Sequence, residues 1–142
     1  MKKFLAFLMC AVTALTFVGC GKKSAELELG DYAYADGDDT YMPTVILMDD
    51  DRFQISYKGY IAGNQSGTYV YDKDKNSLTC TTENGGEIYF EVDGDTLVYR
   101  AITPTALSVV NEEYNGFRSD VRDTTRFSHQ DYDENSDEED EN

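Results

Sequence analysis

Asp72, Asp74, Asn76 and Glu83 have the most site-like spacing in the chain. Oxygen ligands at alternate positions, closed by a carboxylate at the twelfth, match part of a calcium loop. Three features oppose that chemistry. Ser77 stands at the sixth position, where glycine would make the sharp bend; Lys73 and Lys75 offset the charge; and the flanks read as strands, not helices. The expectation is a hydrophilic hairpin turn, with calcium as the weaker alternative. Asp49-Asp50-Asp51 and the group Asp36, Asp38 and Asp39 are denser in carboxylates. They read as turns first and as diffuse cation sites second.

Nucleophilic chemistry has little to draw on. The one histidine, His129, falls in a stretch that composition reads as a tail. On that placement a Ser-His-Asp or Cys-His constellation and a His-based zinc site are excluded from the folded part. No Gly-rich phosphate loop or dinucleotide fingerprint appears, and no cofactor is implied. Paired carboxylates of the glycosidase kind are the catalytic arrangement left open, but among 28 acidic residues some pair always suggests itself. Cys80, in Leu78-Thr79-Cys80-Thr81, has no basic neighbour in sequence to activate it, so an inert buried thiol is expected. Tyr69 and Tyr71 share one strand face, opposite Thr68 and Val70. Exposed, they would be binding residues; buried, they would be core.

The remaining reactive side chain is Cys20. Lys2 and Lys3 precede an uncharged apolar run from Phe4 to Val18, followed by Gly19-Cys20-Gly21. Fifteen residues are short of the roughly 20 needed to span a bilayer, and a basic start, an apolar run and small residues at its end are the layout of a secretory signal. Phe17-Val18-Gly19-Cys20 resembles the lipobox of bacterial lipoproteins, with Phe17 where leucine is commoner. The resemblance implies a diacylglycerol thioether on Cys20, cleavage just before it, and an extracytoplasmic, lipid-anchored protein at the cell membrane or outer membrane. Two or more acyl chains hold stably where one holds only marginally.

Removing residues 1–19 leaves 28 acidic against 10 basic side chains, a formal charge of −18. That sign excludes a nucleic-acid binder and points to a well-solvated surface or a basic protein partner. Lys22 and Lys23 lie beside the anchor, where positive charge favours a membrane. On the lipobox resemblance Cys10 would leave with the signal and Cys20 would be acylated, and Cys80 alone could not form an intramolecular disulfide.

Residues 20–25 form a short lipidated tether to a β domain over 26–116. Its candidate strands are Glu26 to Tyr34, Val45 to Met48, Arg52 to Tyr57, Gly67 to Tyr71, Leu78 to Thr82, Ile88 to Val92 and Thr96 to Ile102. Turn clusters separate them, and Asn84-Gly85-Gly86 is a strong hairpin signal. Even spacing with tight turns predicts an all-β antiparallel meander, closed as a small barrel or folded as a sandwich. Gly30-Asp31-Tyr32, Ser66-Gly67-Thr68-Tyr69 and Val92-Asp93-Gly94-Asp95-Thr96-Leu97 resemble the small lipocalin-like β-barrel lipoproteins, which implies room for one small apolar ligand. Thr105 to Tyr114 reads as one more strand or a short helix. Residues 117–142, with eight acidic and no basic groups over 131–142, read as a disordered acidic tail.

Together these features predict a membrane-anchored lipoprotein whose β domain has a non-catalytic binding or interaction role. A carrier of a small apolar ligand and an envelope inhibitor or assembly factor acting through its acidic surface are the alternatives.

Overall fold

The structure, a computed structural model, describes residues 25–37, 40–102, 107–111 and 117–131. The signal segment, the lipobox with Cys20, Asp38, Asp39 and the acidic stretch from residue 132 lie outside the described residues. The strands are β1 (Gly30–Tyr34), β2 (Pro43–Met48), β3 (Arg52–Tyr57), β4 (Gln65–Asp72), β5 (Ser77–Thr82), β6 (Glu87–Asp93), β7 (Thr96–Arg100), β8 (Val109–Asn111), β9 (Phe117–Ser119) and β10 (Arg126–His129). Eight of them close an antiparallel barrel in the order β1-β10-β7-β6-β5-β4-β3-β2, and β8 and β9 pair separately. The predicted meander is therefore a barrel, not a sandwich.

Alternation drives the closure. Val45 and Leu47 of β2 face inward opposite Ile55 and Phe53 of β3. Leu78 and Cys80 of β5 meet Phe90 and Ile88 of β6, and Val92 meets Leu97 of β7. An eight-stranded barrel is just wide enough for side chains to fill it. Phe90 occupies this one beside Tyr99 and Phe127, with ring centroids 5.9 and 6.2 Å away. Each large side chain buried in this way contributes about 1.5–3 kcal/mol.

The short turns hold because their residues accept positive φ. Asp50 and Asp51 adopt φ of 60° and 55°, and Asn76 adopts 50°. Aspartate and asparagine tolerate that region because their short polar side chains bond locally. The acidic run at 49–51 is in this respect turn chemistry.

Antiparallel alternation gives the barrel two distinct ends. One carries residues 25–29 and the turns at 49–51, 73–76 and 94–95; the other carries residues 35–37 and 40–42, the loops at 58–64 and 83–86, and an excursion described at 107–111 and 117–121. At the first end, residues 25–29 run as a strap instead of continuing β1, as Glu26 to Tyr34 was expected to do. The Ala25 amide donates to Asn76 Oδ1 at 3.1 Å, and the Tyr71 hydroxyl donates to the Ala25 carbonyl. Ala25 and Leu27 pack against the core.

Part of the segment 117–142, expected as a disordered tail, is folded. Arg126–His129 is a barrel strand, paired with β1 on one side and β7 on the other, so the domain does not end at residue 116. Phe127, fully buried, is the side chain that makes the difference. Composition averaged over the whole segment conceals a seven-residue stretch without acids, residues 124–130. Residues 107–111 and 117–119 form the excursion, with strand β8 inside the stretch left open between strand and helix.

Candidate functional site

Strands β5, β6 and β7 lie side by side and turn alternate residues outward. Their register sets Ser77 opposite Glu91, Thr79 opposite Tyr89, and Tyr89 opposite Arg100. These five side chains line a groove of about 370 Å³ on the outer wall, with Lys75 and Asn76 at one end and Ile102 at the other. The volume lies at the small end of the range for ligand pockets.

Arg100 Nη2 donates to Glu91 Oε2 at 2.6 Å. That hydrogen bond is the main cause holding the guanidinium pKa above its ordinary value. The Tyr89 hydroxyl donates to the Glu87 carboxylate, which chiefly raises the phenol's pKa. Ile102 is 67% exposed at the rim. The groove thus offers hydroxyls, one aromatic ring, an exposed apolar side chain and a charge pair that is already matched. Such a lining suits hydrogen bonding and stacking. Glu91, the acid in the lining, is engaged by Arg100.

The residues singled out from sequence are scattered. Asp72 Oδ1 accepts from the Asp74 and Lys75 amides at 3.1 and 3.2 Å, closing a tight turn. Asn76 Oδ1 is taken by the Ala25 amide and lies 3.4 Å from the Tyr71 hydroxyl. Glu83 sits in the β5–β6 turn at the opposite end of the barrel, accepting from Ser66 Oγ at 2.9 Å. A six-residue strand, ~20 Å at 3.3 Å per residue, separates it from Asn76. The structure does not bring Asp72, Asp74, Asn76 and Glu83 into one calcium site. Among the described residues no group of three or more His, Cys, Asp or Glu side chains is placed to hold a metal. Asp36 and Asp49–Asp51 are surface residues.

Cys80 faces the interior, and burial pushes its thiol up to about 12. Tyr69 is buried and Tyr71 half-buried, whereas Thr68 and Val70 face outward. The tyrosine face is thus core. His129 is on β10, with its side chain 14% exposed. The premise that removed histidine chemistry from the folded part therefore fails. Its Nε2 faces the Leu29 carbonyl at 2.9 Å, and Nδ1 faces Glu28 and Asp131.

The groove was not legible from the sequence. Tyr89, Glu91 and Arg100 read as ordinary outward positions, and only the register between strands makes them neighbours. Comparison with protein families, with curated proteins and with solved structures finds no match.

Proposed function

We propose that this chain is an extracytoplasmic lipoprotein, held at the cell membrane or outer membrane by a lipidated Cys20, with a non-catalytic binding or interaction barrel. The observation that carries this reading is the strap. It fastens to the barrel at Ala25, five residues after Cys20. A tether of that length reaches under ~20 Å at 3.3–3.6 Å per residue. The end bearing the acidic turns then faces the bilayer, and the groove runs along the wall beside it.

The groove supports the binding role better than the barrel interior does. Tyr32, Phe53, Phe90, Tyr99 and Phe127 are large side chains buried in the barrel, which favours a filled core over a carrier of a small apolar ligand. A basic partner would meet the acidic turns gathered at the strap end.

Two variants test the two halves of the reading. Cys20→Ala is expected to move the protein from the membrane fraction to the soluble extracytoplasmic fraction and to remove the lipid mass. Unchanged fractionation would end the anchor reading. Tyr89→Ala with Arg100→Ala is expected to abolish cross-linking to an envelope partner while the protein remains membrane-bound. Retained cross-linking would end the groove's role.

A further inference from the structure

His129 sits where the barrel closes against the strap. It pairs with Tyr32 across the β1–β10 ladder, and its ring stands edge-on to the Tyr32 ring, centroids 5.1 Å apart. Nε2 lies 2.9 Å from the Leu29 carbonyl oxygen. Nδ1 lies 3.6 Å from the Glu28 carboxylate and 3.4 Å from that of Asp131. Room is kept for the ring. Gly30 has φ +128°, and a Cβ there would come within 2.8 Å of Nε2. Both the backbone angle and the space require glycine.

We propose that His129 is a protonation-dependent clasp, fastening residues 25–29 to the barrel's closing strand when the imidazole is charged and slackening when it is neutral. A neutral ring carries one N–H. Placed on Nε2, that proton serves Leu29 but leaves a lone pair on Nδ1 facing two carboxylates. Placed on Nδ1, it serves the carboxylates and leaves the Leu29 carbonyl without its donor. The charged ring satisfies both sides at once.

The surroundings all act in one direction. Glu28 faces the ring from the strap, Tyr32 from β1 and Asp131 from the end of its own strand. Asp95, in the β6–β7 turn, accepts the His129 amide at its carbonyl, and Asp31 on β1 accepts the Gln130 amide in the same way. Every ionised group in this set is acidic. The Leu29 hydrogen bond, followed by Glu28 and Asp131, raises the imidazole pKa above 6.5 against the opposing effect of desolvation. A histidine raised on folding contributes stability that is complete below its unfolded value, about 6.5, and is lost as pH climbs through the raised one. The clasp is therefore tight in mild acid and slack in the alkaline direction. With the anchor proposed above, slackening would lengthen the link between Cys20 and the barrel by the five strap residues, ~17 Å when extended. The clasp itself does not depend on that anchor.

Because His129 is the sole histidine, its ring resonances identify themselves in NMR of the full chain. The expected titration midpoint lies above 6.5, and the amides of residues 25–29 shift with the same midpoint. Their hydrogen exchange, corrected for intrinsic pH dependence, is expected to be several-fold faster above the midpoint than below it. His129→Gln can still donate to Leu29 but cannot take a proton; the barrel is expected to fold and the strap to lose its pH response. If that variant does not fold, Glu28→Gln combined with Asp131→Asn makes the same test at two exposed positions, and the midpoint must fall. A midpoint at or below 6.5, strap amides indifferent to the histidine, or a pH response surviving in His129→Gln would each overturn the clasp.

Discussion

The Tyr57 hydroxyl, on the third strand of the barrel, donates to the carbonyl of Leu107 at 2.6 Å across 50 residues of sequence. Leu107 is fully buried, and Val121, on the returning limb of the excursion, is nearly so. Ser108 Oγ binds Val121 in both directions, at 3.3 Å to its carbonyl and 3.2 Å from its amide. The excursion is thereby docked on the loop end of the barrel. Tyr57→Phe is expected to lower stability by about 1–2 kcal/mol, because removing the donor costs a buried bond. Urea unfolding measures it. Exchange protection should fall first at residues 107–111 and 117–121, before the barrel strands are affected.

Gly67 is set against the next strand with no room for a side chain. A Cβ there would lie 1.9 Å from the Thr81 carbonyl oxygen, which belongs to the backbone and cannot swing aside. Gly67→Ala is expected to destabilise by about 2–3 kcal/mol through forced backbone displacement. Gly86→Ala, whose nearest neighbour is the Thr82 hydroxyl at 3.1 Å, should cost distinctly less. Equal melting temperatures for the two variants would contradict the β4–β5 packing described here.

Closure by β10 predicts a sharp boundary in truncation. A chain ending at Asp131 keeps every described strand and should melt like the full chain. One ending at Thr125 leaves β1 and β7 with open edges and should lose cooperative unfolding. Phe127→Ala, in the full chain, is expected to cost about 3–5 kcal/mol, as for other large-to-small changes in a core.

Alkali should weaken the fold in a definite window. Burial, with a smaller effect from Glu28, pushes the Tyr32 phenol from 10 up to about 12, and burial pushes the Cys80 thiol from 9 to about 12. Both groups favour the folded state while protonated. Their contribution is complete below the unfolded values and is lost as pH rises toward 12. Each group reduces stability by about 1.4 kcal/mol per pH unit within its own window. Denaturant melts between pH 8 and 12 check the slope. In the native protein Cys80 should not react with a thiol reagent at neutral pH, and it should react fully once unfolded.

The barrel was legible in the sequence because its strands advertise themselves by period. Phe53, Ile55 and Tyr57 alternate, as do Ile88, Phe90 and Val92, and Gly85 and Gly94 mark turns that adopt positive φ. Strand β10 was hidden because it offers one apolar residue, Phe127, beside a long acidic run. Leu27 and Leu29 alternate with Glu26 and Glu28, which predicts a strand from Glu26, but they are out of phase with the inward Tyr32, and Gly30, with φ of +128°, marks where β1 begins. No local pattern reports the registers that bring Tyr89 to Arg100 or His129 to Tyr32. The groove and the clasp both depend on those long-range pairings.

The lipid anchor proposed at Cys20 would hold this barrel at a membrane. The most direct measurement is the mass of the N-terminal peptide from protein isolated from the membrane fraction. The predicted result is a peptide beginning at Cys20 and carrying a diacylglycerol thioether, absent from Cys20→Ala. An unmodified peptide that retains residues before Cys20, or one with a free Cys20 thiol, would contradict it.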